Sequence, residues 1–292
     1  MLQLFNWFYF LAVILSVGSI IGLYFILKNK SKKTIYIVLA SLLFFNLLLH
    51  FFKAFIPPYS LSTDRLVRDI WFINICAVST LIFPFIFISK AQALKDFMFY
   101  LGVISGALAI LYPTEAIGNI YFFDLLRFYI CHTIIIGVPL LMVLLKVHQL
   151  NYHRIWKMPF CMLMVLLIVI CNQVLQSELG FIPLRGDDIS NIPYTNTSLI
   201  WGPTDAVSVV FTWLTPNFMK YVPYGEYAGT PKYWPFFYLV PGAFVYFLIL
   251  PLLLCLPWEF KHIKNDFVLI KQWFALKKEN KKNRTEKQIC ND

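Results

Sequence analysis

The sequence predicts an all-α membrane protein, a polytopic helical bundle of about seven transmembrane helices. Hydrophobic residues make up 59% of the 292 residues and charged residues only 14%, whereas soluble domains contain about 25% charged residues. The apolar residues also occur in runs of about twenty, the length that crosses a bilayer core about 30 Å thick. These two observations exclude a chain of separate soluble domains.

Seven apolar runs mark the predicted spans. They cover residues 5–27, 34–55, 70–90, 96–112, 123–147, 156–177 and 233–257. Together they predict one membrane domain over 1–260, with a long extracytoplasmic loop at 178–232 and a basic cytoplasmic tail at 261–292. The loop is rich in proline, and two interpretations stay open: a lid over an outward-facing cavity, or a plain external loop.

The distribution of lysine and arginine predicts the orientation. Basic residues cluster in the first, third and fifth connections, around Lys28, Lys90 and Arg154, and in the tail. Because cytoplasmic loops are enriched in these residues, we expect the N-terminus outside and the C-terminus inside. Usage rich in Phe, Ile and Lys is typical of a low-GC bacterium, so the expected location is the bacterial cytoplasmic membrane.

Charge and cysteine content limit the possible partners. The net charge of +10 comes from short loops and the tail, so we expect membrane lipids as partners and no nucleic acid. The tail alternates basic and apolar residues and is predicted to lie on the anionic inner leaflet. The six cysteines show no CxxC or Cys/His spacing, so neither a metal nor a cofactor is predicted. The sequence does not indicate an oligomeric state.

Two GxxxG patterns predict close helix packing. Gly18 and Gly22 form one in the first span, and Gly102 and Gly106 form the other in the fourth. Small residues at this spacing allow two helix backbones to approach each other in a membrane.

Polar side chains from four predicted spans lie at a similar depth. At 1.5 Å per residue, Cys76 is about 9 Å and His132 about 14 Å below the outer ends of their spans. Polar groups in a span are costly unless they are paired or functional. We therefore expect one polar chamber open to the outer leaflet, formed by Asn46, His50, Asn74, Cys76, His132, Asn172 and Gln176.

A thiol and an imidazole on facing helices provide the minimum for nucleophilic catalysis. Cys76 is the candidate nucleophile and His132 the candidate base, while Asn74, Asn172 or Gln176 would support them. Asp124 lies two turns before His132 and would fix its tautomer. Cys131 is a weaker candidate because it points about 100° away from His132 around the helix.

Other interpretations of these residues stay open. Cysteine in a span is often a small packing residue, and a single histidine often bonds a neighbouring helix. The chamber would also suit a small polar solute, with Asn46, His50, Asn172 and Gln176 as ligands. A structural membrane partner is the third possibility.

Short motifs follow one another at residues 73–79, 100–102, 111–114 and 127–132, and Asn172 comes after them. This order resembles the YwaF-type bacterial integral membrane family, which is related to the animal transmembrane protein 164 family. In that pattern an LPxHxC stretch opens the third span and a Ser-His pair lies in the fifth. Three positions differ: Leu-Pro is Trp71-Phe72, the motif histidine is Asn74, and the serine is Cys131.

The resemblance implies a function for the chamber. The animal members are similar to acyltransferases that move an acyl chain between glycerophospholipids, using a Cys and a His on separate spans. Carried over by motif, these two residues fall on Cys76 and His132. The resemblance therefore implies a lipid acyltransferase or acyl hydrolase acting near the outer leaflet.

Overall fold

The computed structural model describes residues 2–61, 71, 74–113, 116–180, 197–203 and 208–289. Six of the α-helices in these ranges are long and apolar enough to cross a membrane, and one apolar helix is shorter. The predicted all-α polytopic bundle is confirmed. The helices are α1 Trp7–Leu27, α2 Lys32–Phe52, α3 Ile75–Ile88, α4 Gln92–Leu111, α5 Phe122–Leu144, α6 Met158–Glu178 and α7 Val240–Ile289.

Polar side chains set the starts of the first three helices. Asn6, Ser31 and Asn74 each accept a hydrogen bond from a backbone N–H one turn into the helix that follows. Such N-caps satisfy amide groups that have no partner inside the helix. The Asn74 side-chain oxygen is therefore engaged by the Ala77 N–H at 2.7 Å.

Two helices form the centre of the bundle. The short helix α3 packs against α2, α4, α5 and α6, and α5 packs against α1, α2, α3 and α4. The ends of even helices and the starts of odd helices meet at one end, which we call the outer end. Tyr9 of α1 donates there to the carbonyl of Leu111 at the end of α4, at 3.0 Å. Successive helices therefore alternate in direction.

The contact between α4 and α5 depends on two glycines. A Cβ at Gly102 would lie 2.6 Å from the carbonyl oxygen of Ile135, and one at Gly106 would lie 3.0 Å from the backbone nitrogen of Ile136. The packing predicted for this pair is confirmed. It is wrong for Gly18 and Gly22, where no described atom lies within 4 Å of the built Cβ, because these glycines lie on the peripheral helix α1.

At the opposite end, a buried carboxylate anchors the start of α4. The fully buried Asp96 receives two hydrogen bonds from Arg154 and pairs with His148 Nε2 at 2.6 Å. Sequence hydropathy placed the start of this span at 96, yet the helix begins at Gln92. Pairing neutralises the Asp96 charge, so this carboxylate can lie inside the buried helix, one turn after its start.

The last helix starts later than predicted and continues further. The span was expected from 233, but α7 begins at Val240 after a short 3-10 turn at Phe237–Leu239. Pro235 has no N–H, and Phe236 has a φ of 66°, which a right-handed helix does not accept. From Val240 the helix runs 50 residues, about 75 Å, and so includes most of the predicted tail.

Gly102→Ala is expected to destabilise the bundle by about 1–3 kcal/mol, since the added methyl group meets a backbone oxygen that cannot rotate away. The free energy of unfolding, measured by circular dichroism in mixed detergent and SDS micelles, tests this. Gly22→Ala is the matched control and should leave stability unchanged. An equal effect of the two substitutions would contradict the packing.

Asp96→Asn is expected to cost roughly 3 kcal/mol, because it leaves Arg154 and His148 without their buried counter-charge. Asp266→Asn is the control: its carboxylate is 35% exposed and pairs with His153, so its loss should cost less than about 1 kcal/mol. The same denaturation measurement applies. Similar values for both variants would show that burial of Asp96 does not matter.

Candidate functional site

His132 is held in one tautomer by its own helix. The side chain lies on α5, is only 7% exposed, and its Nδ1 is 2.8 Å from the carbonyl oxygen of Phe128. A carbonyl can only accept, so the Nδ1 position carries the proton. In the neutral imidazole Nε2 then carries the lone pair, which is the form that a general base requires.

The candidate nucleophile lies at the start of the neighbouring central helix. Cys76 is the second residue of α3, is half-buried against the core, and is not part of a disulfide. Helices α3 and α5 are in contact. Within the described residues, no hydrogen bond joins Cys76 to His132. The two residues therefore lie on adjacent helices without a direct polar link.

A short polar chain connects α2 to the turn of Cys76. The buried Asn46 Nδ2 makes a long hydrogen bond of 3.5 Å to Thr80 Oγ1, which donates to the Cys76 carbonyl at 3.0 Å. Among the described residues, the buried Asn46 oxygen has no hydrogen-bond partner. His50, one turn later on α2, is also buried. Two of the predicted chamber residues thus lie on the inner face of α2.

The candidate residues on α6 carry unpaired amide atoms. Gln176 is 2% exposed, and neither its nitrogen nor its oxygen has a hydrogen-bond partner among the described residues. The buried Asn172 side-chain nitrogen also lacks a hydrogen-bond partner among these residues. Buried amides are nearly always hydrogen-bonded, and an unpaired one costs about 1–3 kcal/mol. These atoms are therefore available to a bound polar group.

Asp124 makes contacts other than the one expected. Its carboxylate forms an ion pair with Arg127 at 2.7 Å and accepts a hydrogen bond from Asn119 at 2.7 Å. The same Arg127 donates to the Tyr59 hydroxyl at 3.2 Å. The contact to the His132 ring that we expected from Asp124 is made by the Phe128 carbonyl instead, because an imidazole in an α-helix reaches the carbonyl four residues earlier.

Part of the long loop is folded into the outer end of the bundle. Trp201 is 1% exposed and donates to Gln173 Oε1 at 2.7 Å, while Ser198 Oγ accepts from the Ile75 N–H at 3.0 Å. A cavity of about 100 Å³ lies between this segment, α3, α6 and α7. Residues 197–203 therefore pack against the start of α3. Residues 181–196 and 204–207 lie outside the described part of the chain.

Sequence reasoning missed several residues at both ends. Ser198 and Trp201 were not predicted, although a tryptophan beside isoleucine in a polar, proline-rich loop is a signal for burial. The cluster of Asp96, His148 and Arg154 was missed because hydropathy assigns such charges to solvent. Only the folded chain shows that these three residues meet.

These features define a class of protein: a multi-pass helical membrane protein with a polar interior near its outer end, partly covered by a loop. The particular family follows from comparison with known proteins. The model of the TMEM164 family matches residues 1–258, and the chain belongs to this family. No curated protein and no solved structure matches the chain.

Trp201→Ala is expected to expose the start of α3, because it removes both the buried indole and the hydrogen bond to Gln173. Modification of Cys76 by a membrane-impermeant maleimide, followed by peptide mass spectrometry, should become several-fold faster. Trp213→Ala is the control, since Trp213 is largely exposed. An unchanged rate at Cys76 in Trp201→Ala would show that the loop does not cover this residue.

Proposed function

We propose that this protein transfers or hydrolyses acyl groups of membrane lipids, with Cys76 as nucleophile and His132 as base. The observation that carries the proposal is the hydrogen bond from His132 to the Phe128 carbonyl, which leaves Nε2 as a buried proton acceptor. Membership of the TMEM164 family supports it. The resemblance of the motifs around Cys76 and His132 to those of membrane acyltransferases adds to this support.

The first half-reaction would transfer the acyl group to the protein. His132 Nε2 takes the proton of the Cys76 thiol, and the thiolate attacks the carbonyl carbon of a lipid ester. The ester C–O bond breaks, and the leaving glycerol oxygen takes the proton back from His132. The products are an acyl-thioester at Cys76 and a lysolipid.

The second half-reaction would release the acyl group. The hydroxyl of another lysolipid, or water, gives its proton to His132 and attacks the thioester carbonyl. The C–S bond breaks, and the Cys76 thiolate recovers the proton from His132. The unpaired nitrogen atoms of Gln176 and Asn172 are donors suited to the oxyanion that forms in each half.

Both halves need Cys76 and His132 within hydrogen-bond reach. Catalytic hydrogen bonds are often loose in the absence of substrate and tighten in the complex. We therefore assign lipid binding the role of bringing the first turn of α3 against α5. The reaction would take place near the outer leaflet of the bacterial cytoplasmic membrane, in the orientation that the basic loops predict.

A polar solute is the second candidate ligand of the same chamber. The unpaired atoms of Asn46, Asn172 and Gln176 favour it, together with the buried His50. In this case the amides would bind the solute directly, and the thiol of Cys76 would be dispensable.

The experiment labels the protein in membranes with a thiol-reactive lipid probe and maps the modified cysteine. Wild type should be labelled at Cys76, Cys76→Ser should lose this label, and His132→Ala should be labelled about a hundredfold more slowly, since a general base contributes about that much or more. Cys171→Ser and His153→Ala are controls, because both native side chains are exposed.

Equal labelling of all variants would overturn the acyl-transfer proposal. Loss of solute uptake on deletion of the gene, with Cys76→Ser fully active, would replace it with solute binding.

A further inference from the structure

A second, apolar cavity lies on the side of the bundle. It is a groove of about 540 Å³ between α1, α2 and α5, within the roughly 300–1,000 Å³ range of small-molecule pockets. We call it the lateral groove. Its walls are almost wholly hydrocarbon and include Ala12, Leu15, Phe45 and Ile130.

The lateral groove opens outwards from the bundle. Leu15 on its rim is 60% exposed, and Phe45 and Leu126 are also exposed. All three lie in segments long and apolar enough to span a membrane. The opening therefore faces lipid, and a dry apolar groove in this position takes up hydrocarbon in preference to water.

The length of the groove fits a lipid chain. Its wall on α5 extends from Phe122 to Leu141, about 28 Å along the helix axis. The hydrocarbon core of a bilayer is about 30 Å thick. An acyl chain of one leaflet spans about half of this thickness, so the whole chain is shorter than the groove.

A buried hydroxyl without a partner in the described part of the chain distinguishes this groove from a packing defect. Tyr129 lines the wall and is 7% exposed, and its hydroxyl is buried without a hydrogen-bond partner among the described residues. Buried tyrosine hydroxyls usually find a partner. Tyr129 lies three residues before His132, one turn closer to the outer end and on a neighbouring face of α5.

We propose that the lateral groove binds an acyl chain of a membrane glycerophospholipid, and that the Tyr129 hydroxyl donates to the ester carbonyl at the head of that chain. This inference rests on the proposed function for the choice of a phospholipid over a free fatty acid. The chain would place its ester one turn from His132, at the depth where the reaction requires it.

Photo-crosslinking tests the proposal independently of catalysis. The full-length protein is reconstituted into phosphatidylethanolamine and phosphatidylglycerol vesicles that contain a phosphatidylethanolamine with a diazirine in its sn-2 acyl chain. We expect crosslinks to concentrate on α1 and α5 residues of the groove. Ser16→Phe, which fills the groove, should lower their yield at least fivefold.

Val17→Phe is the matched control. Val17 neighbours Ser16, is 49% exposed, and lies outside the groove lining, so the yield should not change. Tyr129→Phe should lower the yield by about twofold to tenfold, the effect of one lost hydrogen bond of ordinary strength. Cys76→Ser should crosslink as wild type does, which separates this test from that of the proposed function.

Three results would overturn the proposal. Equal crosslinking in Ser16→Phe and Val17→Phe would indicate only the lipid annulus that surrounds any membrane protein. An unchanged yield in Tyr129→Phe would remove the ester contact. Crosslinks in the groove from a diazirine fatty acid, but not from the phospholipid, would show that the groove selects free acids.

Discussion

Close contact between the backbones of α4 and α5 fixes the arrangement of the central helices. Gly102 and Gly106 bring the two backbones so near that a methyl group at either position would overlap an atom of α5. The carbonyl oxygen of His132 itself lies 3.3 Å from the Cβ position built on Gly106. This contact therefore sets the position of α5, and with it the depth and direction of His132, Phe128 and Tyr129.

Polar groups hold the two ends of the bundle in different ways. At the end opposite the outer end, Asp96 is paired with Arg154 and His148, so it contributes to structure. At the outer end, amide atoms of Asn46, Asn172 and Gln176 have no hydrogen-bond partner in the described part of the chain. Because an unpaired buried amide is costly and a paired one is not, the outer end is where binding energy is available.

In the proposed function, the lateral groove and the polar residues at the outer end would form two parts of one lipid site. The groove would hold an acyl chain, and His132, Cys76 and the amides of Asn172 and Gln176 would act on its ester. α5 carries both Tyr129, which lines the groove wall, and His132, whose Nδ1 bonds the Phe128 carbonyl. A single rigid helix is a precise support for such a site, since its side chains keep fixed spacing and direction.

Local sequence patterns were enough to predict the class of fold, the number of apolar segments and the residue types of the candidate site. These follow from local quantities: the length of an apolar run, the charge of a loop, and the period of a helix. The spacing of Gly102 and Gly106 predicted close packing correctly. The same spacing of Gly18 and Gly22 predicted it wrongly, because spacing does not tell which side of a helix meets a neighbour.

Which polar groups pair with each other became visible only in the folded chain. Asp124 lies two turns before His132, but its carboxylate forms an ion pair with Arg127. The imidazole of His132 bonds the Phe128 carbonyl instead. Likewise, the buried Trp201 in the loop donates its indole N–H to Gln173 on α6. Hydrogen bonds and ion pairs are short-range, so they depend on distances between segments that no local sequence pattern specifies.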